Sequence, residues 1–188
     1  MKKCGWCIGD PIYEAYHDHQ WGVPIYHSQQ LFEALCLESF QAGLSWITIL
    51  KKRDNFRQAF DNFNPHLIAH YDDKNIEILL QNAGIVRHKG KILAIINNAK
   101  LFLEIERTQT FSNYLWHYVG HKPIQNNFET MADLPSSTPL STQIAKDFKK
   151  QGFKFLGATT VYAFMQAVGM VNNHLTSCFK YQKQQTGF

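Results

Sequence analysis

The chain has no uninterrupted apolar run approaching the roughly 18 residues that a membrane span needs, which argues against a transmembrane protein. Its opening, MKKCGWCIGDP, meets a Gly and an Asp before a secretory core could form, so a cytoplasmic location is expected. Cysteine is scarce. Cys4, Cys7, Cys36 and Cys178 are too few and too scattered for a disulfide framework, and in a reducing compartment cysteines near histidines point to metal instead. Alternating segments long enough to argue for a sheet are missing, as are internal repeats and low-complexity tracts. What remains is an all-α chain of 188 residues, 45% hydrophobic and 18% charged, which makes one domain or two closely packed lobes. A chain of this length buries about 70% of its extended surface, enough for an apolar core without disulfides.

The net charge is only +4, but it is uneven. Lys51–Arg57, Arg87–Lys91 and Lys146–Lys154 each carry +3, so the rest of the chain sums to −5. Such concentration suits a polyanionic partner, and it equally suits a solvated lysine face; charge alone does not choose between them.

Helix signals organise most of the sequence. Ser28 is expected to cap a helix to about Gln41 with Leu31, Phe32, Leu35 and Cys36 inward; Gly43 interrupts it, and Ser45 starts the next, carrying Trp46, Ile49, Leu50, Phe56 and Phe60. Pro65 opens a short segment. Asp72 and Asp73 suit the start of a helix bearing Ile76, Leu79 and Leu80, and after the turn Gly84–Arg87 a second helix carries Ile92, Ile95, Ile96 and Ala99, making a hairpin. Phe111–Val119 is read as a helix stopped by Gly120, and the polar segment 121–137 as a surface connection with little core. Thr138 and Pro139 start a helix that Gly152 ends, and Ala158–Met170 is the last apolar helix. The first 27 residues read as loop-rich. If the single domain 1–188 has lobes, residues 1–27 with 112–188 form one and 28–111 the other.

Four features carry chemistry. First, the hairpin turn is followed by Arg87, Lys89 and Lys91 with no acid from Gly84 to Leu103; free amides at the second helix's start, plus basic neighbours, make a phosphate site, although any hairpin needs such a glycine. Second, Glu38 shares the helical stripe of Leu31, Leu35 and Ala42, where a carboxylate must find a partner or a proton; its plain alternative is a rim or salt-bridged glutamate. Third, Trp6, Tyr13, Tyr16, Trp21 and Trp46 are either core or a stacking pocket for a planar, electron-poor ligand such as a nucleobase. Fourth, Cys4 and His17 near the start and His174-x-x-x-Cys178 near the end offer zinc-type ligands, with Cys4-x-x-Cys7 as a competing set.

The string Cys4-Gly5-Trp6, Asp10-Pro11, Tyr13, Tyr16-His17-Asp18, Trp21-Gly22-Val23-Pro24, then Leu37-Glu38, Gln41-Ala42-Gly43-Leu44-Ser45-Trp46 and Gly152-Phe153-Lys154-Phe155-Leu156-Gly157, closely resembles the 3-methyladenine DNA glycosylase I family, from Cys4 to about Cys178. The glutamine-rich tail beyond Tyr181 lies outside the likeness. The resemblance implies an all-α helix-hairpin-helix glycosylase fold and a structural Zn2+ held by Cys4, His17, His174 and Cys178, leaving Cys7 as a spare thiol. It implies a monofunctional DNA repair enzyme without lyase activity, acting as a monomer on double-stranded DNA that contains 3-methyladenine. Glu38 is then the catalytic carboxylate, Tyr16 and Trp46 hold the flipped base, and Tyr13, Trp6 and Trp21 form further walls. Gly43 and Leu44 face the gap in the duplex, and Gly84, Val86, Arg87, Lys89 and Lys91 contact DNA. Many helix-hairpin-helix glycosylases carry a catalytic Asp beyond the hairpin; here Glu104 and Glu106 are the only acids between Gly84 and Phe128.

That absence has a chemical reason. Methylation at N3 makes the base a cation, which leaves as a neutral molecule without being protonated first, unlike the leaving oxygen in sugar hydrolysis. Two other classes make different demands. A noncatalytic DNA-binding module has no use for a buried Glu38, and a zinc hydrolase needs an open metal position, which a full Cys/His set does not leave.

Overall fold

A computed structural model describes residues 1–183; the tail from residue 184 lies outside the described residues. Among the described residues ten α-helices run in chain order: α1 (Pro11–His19), α2 (Ser28–Gln41), α3 (Trp46–Ala59), α4 (Pro65–Ile68), α5 (Asp73–Gln81), α6 (Lys89–Glu106), α7 (Phe111–His117), α8 (Pro139–Gln151), α9 (Ala158–Ala167) and α10 (Phe179–Lys183). Local chemistry sets their ends. Asp72 caps α5 in a reciprocal box with Asn75, Thr138 does the same for α8 with Ser141, and Gly152 ends α8 in the left-handed conformation at φ 96°.

The central element is α2, which packs against α3, α6, α7 and α9. Its residues from Leu35 to Phe40 are buried on every side, as expected of a helix wrapped by others. Leu31, Phe32 and Phe40 meet Phe56, Phe60 and Phe63 on one side and Ile92, Ile95, Phe102, Val161 and Phe164 on the others, so one core runs through residues 28–111 and on into α7–α9. A smaller cluster, Cys4, Tyr16, Trp21, Leu50, Leu175 and Cys178, ties the two ends of the chain to α3.

Four boundaries differ from the sequence reading. The N-terminal segment is not loop-rich: Asp10 accepts hydrogen bonds from the amides of Ile12 and Tyr13 and, with Pro11 in the first turn, starts α1. Ser28 is the first residue of α2 and not its cap; its Oγ accepts from the Ser112 amide. The last apolar helix stops at Ala167, because Gly169 turns at φ 71° against Val23 and Pro24, where a Cβ would lie 2.5 Å from Pro24 N. The connection 121–137 is not merely superficial. Ile124–Gln125 pairs in parallel with Val171–Asn172, the one strand ladder among the described residues, and Asn126 Nδ2 donates to Asn173 Oδ1 at 2.7 Å. No described helix is long and apolar enough to cross a membrane.

Candidate active site and metal centre

One end of α2 opens into a cavity of about 190 Å³ lined by Trp6, Tyr13, Tyr16, Trp21, Glu38 and Trp46, the six residues expected to form a pocket. This is below the roughly 300–1,000 Å³ usual for drug-sized ligands, so it suits a flat ring more than a nucleotide. Trp6 is the hub of its wall, edge-on to Tyr13 (4.9 Å between centroids), Trp21 (5.0 Å) and Tyr16 (6.4 Å). Tyr16 and Trp46 lie 5.5 Å apart at 46°. Two links between α1 and α3 hold this pair in place: Lys51 Nζ to Asp10 Oδ2 at 2.7 Å, and Arg53 Nη1 to Gln20 Oε1 at 2.5 Å.

Glu38 is 4% exposed, and its Oε2 has no hydrogen-bond partner; Trp46 Nε1, in the same lining, has none either. Burial pushes the Glu38 carboxyl up to about 8. Tyr16 is held well above the ordinary phenol range by burial, with the neighbouring Glu38 carboxylate adding to the shift. The cavity therefore favours a ligand that brings a positive charge or a donor to Glu38. Gln41, Met131, Leu134, Ala163 and Gln166 also line it, and none of these was expected. Met131 and Leu134 come from the connection read as superficial. Only tertiary folding brings that segment over the pocket, although Thr130 and Asp133 do carry the local signal of a capping box.

Behind Trp6 and Trp21 sits the Cys/His cluster. The ligand atoms of Cys4, His17, His174 and Cys178 all lie within 4.8 Å of one another, and all four residues are buried. Cys178 Sγ is 3.5 Å from His17 Nε2 and 3.7 Å from His174 Nδ1, and Cys4 Sγ is 3.8 Å from His174 Nδ1. Tetrahedral zinc with ordinary Zn–S and Zn–N bonds separates its sulfur and nitrogen ligands by roughly 3.6 Å. The far nitrogens are also anchored: His17 Nδ1 lies 2.8 Å from Asp18 Oδ1, and His174 Nε2 lies 3.2 Å from the Trp21 carbonyl oxygen. Burial pushes the Cys4 thiol up to about 12 and His174 down to about 3. Cys7, the competitor, instead donates its thiol to the Cys4 carbonyl at 3.1 Å. Trp21 lies 4.6 Å from the His174 ring and Trp6 5.5 Å from His17, so the cluster backs the pocket wall.

The residues expected at DNA divide. Gly43 turns at φ 83° and leaves Leu44 42% exposed beside the pocket helix. Arg87 and Lys89 are exposed at the hairpin, and Val86 packs on the core. Gly84 is closely packed: a Cβ would meet Asn82 Oδ1 at 2.9 Å and Asn55 Cβ at 3.1 Å, so both side chains would have to shift. Lys91 is a correction: it is 5% exposed, and its ammonium donates to the carbonyls of Phe40 (2.9 Å) and Ala42 (2.7 Å), so it caps α2 from within. The amides starting α6 are also fewer than expected, because His88 Nδ1 accepts from Lys91 N–H at 3.2 Å. Of the three basic stretches, Lys51–Arg57 is spent internally. Besides the two α1–α3 links, Lys52 braces the Ala83 carbonyl and Arg57 pairs with Glu33.

The helical fold closes an aromatic cavity of ring size around a buried carboxyl. The chain belongs to the methyladenine glycosylase family, whose profile matches residues 6–181. It is 48% identical over 182 residues to DNA-3-methyladenine glycosylase 1 of Escherichia coli, covering 96% of this chain and 97% of that one. A crystal structure of a 3-methyladenine DNA glycosylase I superposes with a TM-score of 0.92 at 50% identity, covering 95% of this chain and 98% of the other. The Staphylococcus aureus enzyme, whose structure describes 3-methyladenine recognition, superposes at 0.92 with 42% identity over 96% and 97% of the two chains.

Proposed function

We propose that the protein hydrolyses the N-glycosidic bond of 3-methyladenine in alkylated double-stranded DNA, releasing the free base and leaving an abasic site. The observation that carries this reading is Glu38: a buried carboxyl without a partner at Oε2, in an aromatic cavity of base size. Extruding a base costs a few kcal/mol, and stacking of about 1–3 kcal/mol between Tyr16 and Trp46, with cation–π attraction near 2 kcal/mol in a dry site, offsets it. A cationic base also draws Glu38 into its ionised form, and Glu38 then accepts from the exocyclic amine. Ordinary adenine has that amine but no charge, so selectivity rests on the cation and on its weakened bond to the sugar.

As the bond breaks, its electrons neutralise the base, which leaves without needing an acid. Water supplies the oxygen that ends on the sugar carbon, and its proton goes to solvent. The α5–α6 pair serves as the helix-hairpin-helix grip on phosphates through Arg87, Lys89 and the turn at Gly84, and Gly43 and Leu44 occupy the gap left in the duplex. Cys4, His17, His174 and Cys178 hold a structural Zn2+, which when bound ties the chain ends together; with four protein ligands it keeps no place for water.

The test is incubation of N-methylated duplex with the protein in EDTA and chromatographic identification of the liberated bases. Release of 3-methyladenine is expected; intact DNA with fully folded protein would overturn the reading.

A further inference from the structure

We propose that a second cavity, sharing Tyr16 and Trp46 with the base pocket as a common wall, binds a small organic monocarboxylate with a flat apolar body, its carboxylate seated on Arg53. The cavity measures about 300 Å³, the lower end for small-molecule sites. The proposal stands apart from the glycosylase reading, because nothing in it requires DNA. Helix spacing builds the walls. On α2, Gln30, Glu33, Ala34 and Leu37 recur at three- and four-residue steps and so share one face, and on α3 the arginines Arg53 and Arg57, four apart, share another. Val23, Ile25 and Ala167 close the space with apolar surface. The two arginines lie roughly 150° round α3 from Lys52 and Asn55, which reach the hairpin turn, so the cavity faces away from the proposed duplex grip.

Arg53 is the residue without a counterion. Its Nη1 donates to Gln20 Oε1 at 2.5 Å, a bond that uses one of five N–H donors and brings no charge, and it pairs with no carboxylate among the described residues. Arg57 differs: its Nε donates to Glu33 Oε1 at 2.8 Å, and its Nη1 lies 3.3 Å from Asp54 Oδ1. Glu33, the one carboxylate of this lining, is thereby occupied, and two arginines against one glutamate leave the cavity a single positive charge. Arg53 is half-buried, and desolvation, with the neighbouring Arg57 adding to it, holds its pKa below the ordinary value, as befits a cation lacking an anion. A guanidinium fork matches a carboxylate in shape, and one net charge suits a monoanion better than a phosphate dianion. The apolar walls and the two shared rings then favour a flat hydrocarbon body over a fully hydrated ion. Across Tyr16 and Trp46 the base pocket presents Glu38, so the two cavities call for ligands of opposite charge.

Calorimetric titration of the full chain with benzoate tests this, with benzamide as the uncharged isostere and inorganic phosphate as the hydrated anion. Benzoate should bind at least about tenfold more tightly than either, because only it offers both a charged fork and an apolar body. Arg53→Gln should weaken benzoate binding by about tenfold or more, and Ala34→Leu, which keeps every charge and fills the space, should weaken it as much. Thermal unfolding shows whether each variant folds; should one fail, the other decides. With the base pocket saturated by free 3-methyladenine, benzoate affinity should stay within about threefold of its value alone. Benzamide or phosphate binding as tightly as benzoate, parent-like benzoate affinity in a folded variant, or no saturation below about 50 mM would overturn the proposal. Displacement of benzoate by 3-methyladenine would also overturn it, by putting the acid in the base pocket. Failure of 3-methyladenine to bind, with benzoate still lost in Arg53→Gln, would count against the glycosylase reading and leave this site standing.

Discussion

Lys91 Nζ lies 2.7 Å from the carbonyl oxygen of Ala42 and 2.9 Å from that of Phe40, so the hairpin helix α6 places its charge on the C-terminal end of the helix that carries Glu38. A helix end leaves carbonyls without intrahelical partners, and a cation there also meets the negative end of the dipole. Burial lowers the Lys91 pKa, but two hydrogen bonds keep the ammonium useful. Lys91→Met should cost about 2–3 kcal/mol, because both carbonyls are left inside without a donor. A chemical denaturation series reads this directly; a loss under about half a kcal/mol would show that water replaces the ammonium.

The same residue shows how far the sequence could be read. Lys89 and Lys91 look alike in a basic run, but residues two apart on a helix point about 200° away from each other, so they could not both face one phosphate strand. The helical scaffold was legible because Asp72, Thr138, Pro139 and Gly152 are strong local signals, and Asp10-Pro11 should have marked α1, whose Tyr13, Tyr16 and His17 have one-face spacing. The pocket's aromatics and Glu38 were legible as residue types. Met131, Leu134 and Gln166 were not, because no local pattern tells a connection or a distant helix that it will cover a cavity. The choice between Cys7 and His17 as ligand likewise depends on tertiary geometry.

Glu38 ties stability to pH. Its ordinary value of 4.5 rises to about 8 on burial, so between these two values the unfolded chain is ionised while the folded one keeps its proton. The folded state then binds more protons, and stability falls as pH rises through this window. Glu38→Gln should remove that dependence: relative to the parent, the variant gains on the order of 3 kcal/mol near pH 7 and little below pH 4.5, while base excision drops. Unfolding curves at several pH values check this; a stability difference that does not change with pH would place Glu38 in a solvated setting.

Metal removal should act on the fold more than on the reaction. Cys178→Ala, or stripping with a strong chelator, is expected to cost about 3 kcal/mol or more, lowering the unfolding temperature by roughly 6–12 °C. Base release per folded molecule should persist in the cold. Loss of activity in a fully folded, metal-free protein would show that the metal is catalytic.

Trp46→Ala should weaken free 3-methyladenine binding by about 5–150-fold, the range of one lost stacking partner. Metal content should be unchanged, because Trp46 is not among the Cys/His ligands. Fluorescence or calorimetric titration measures the affinity, and binding within twofold of the parent would remove Trp46 from the clamp.

The most direct measurement is a crystal structure of the protein soaked with 3-methyladenine. The purine is expected between Tyr16 and Trp46 with its exocyclic amine on Glu38 Oε2. A closed cavity, or the purine bound elsewhere, would contradict it.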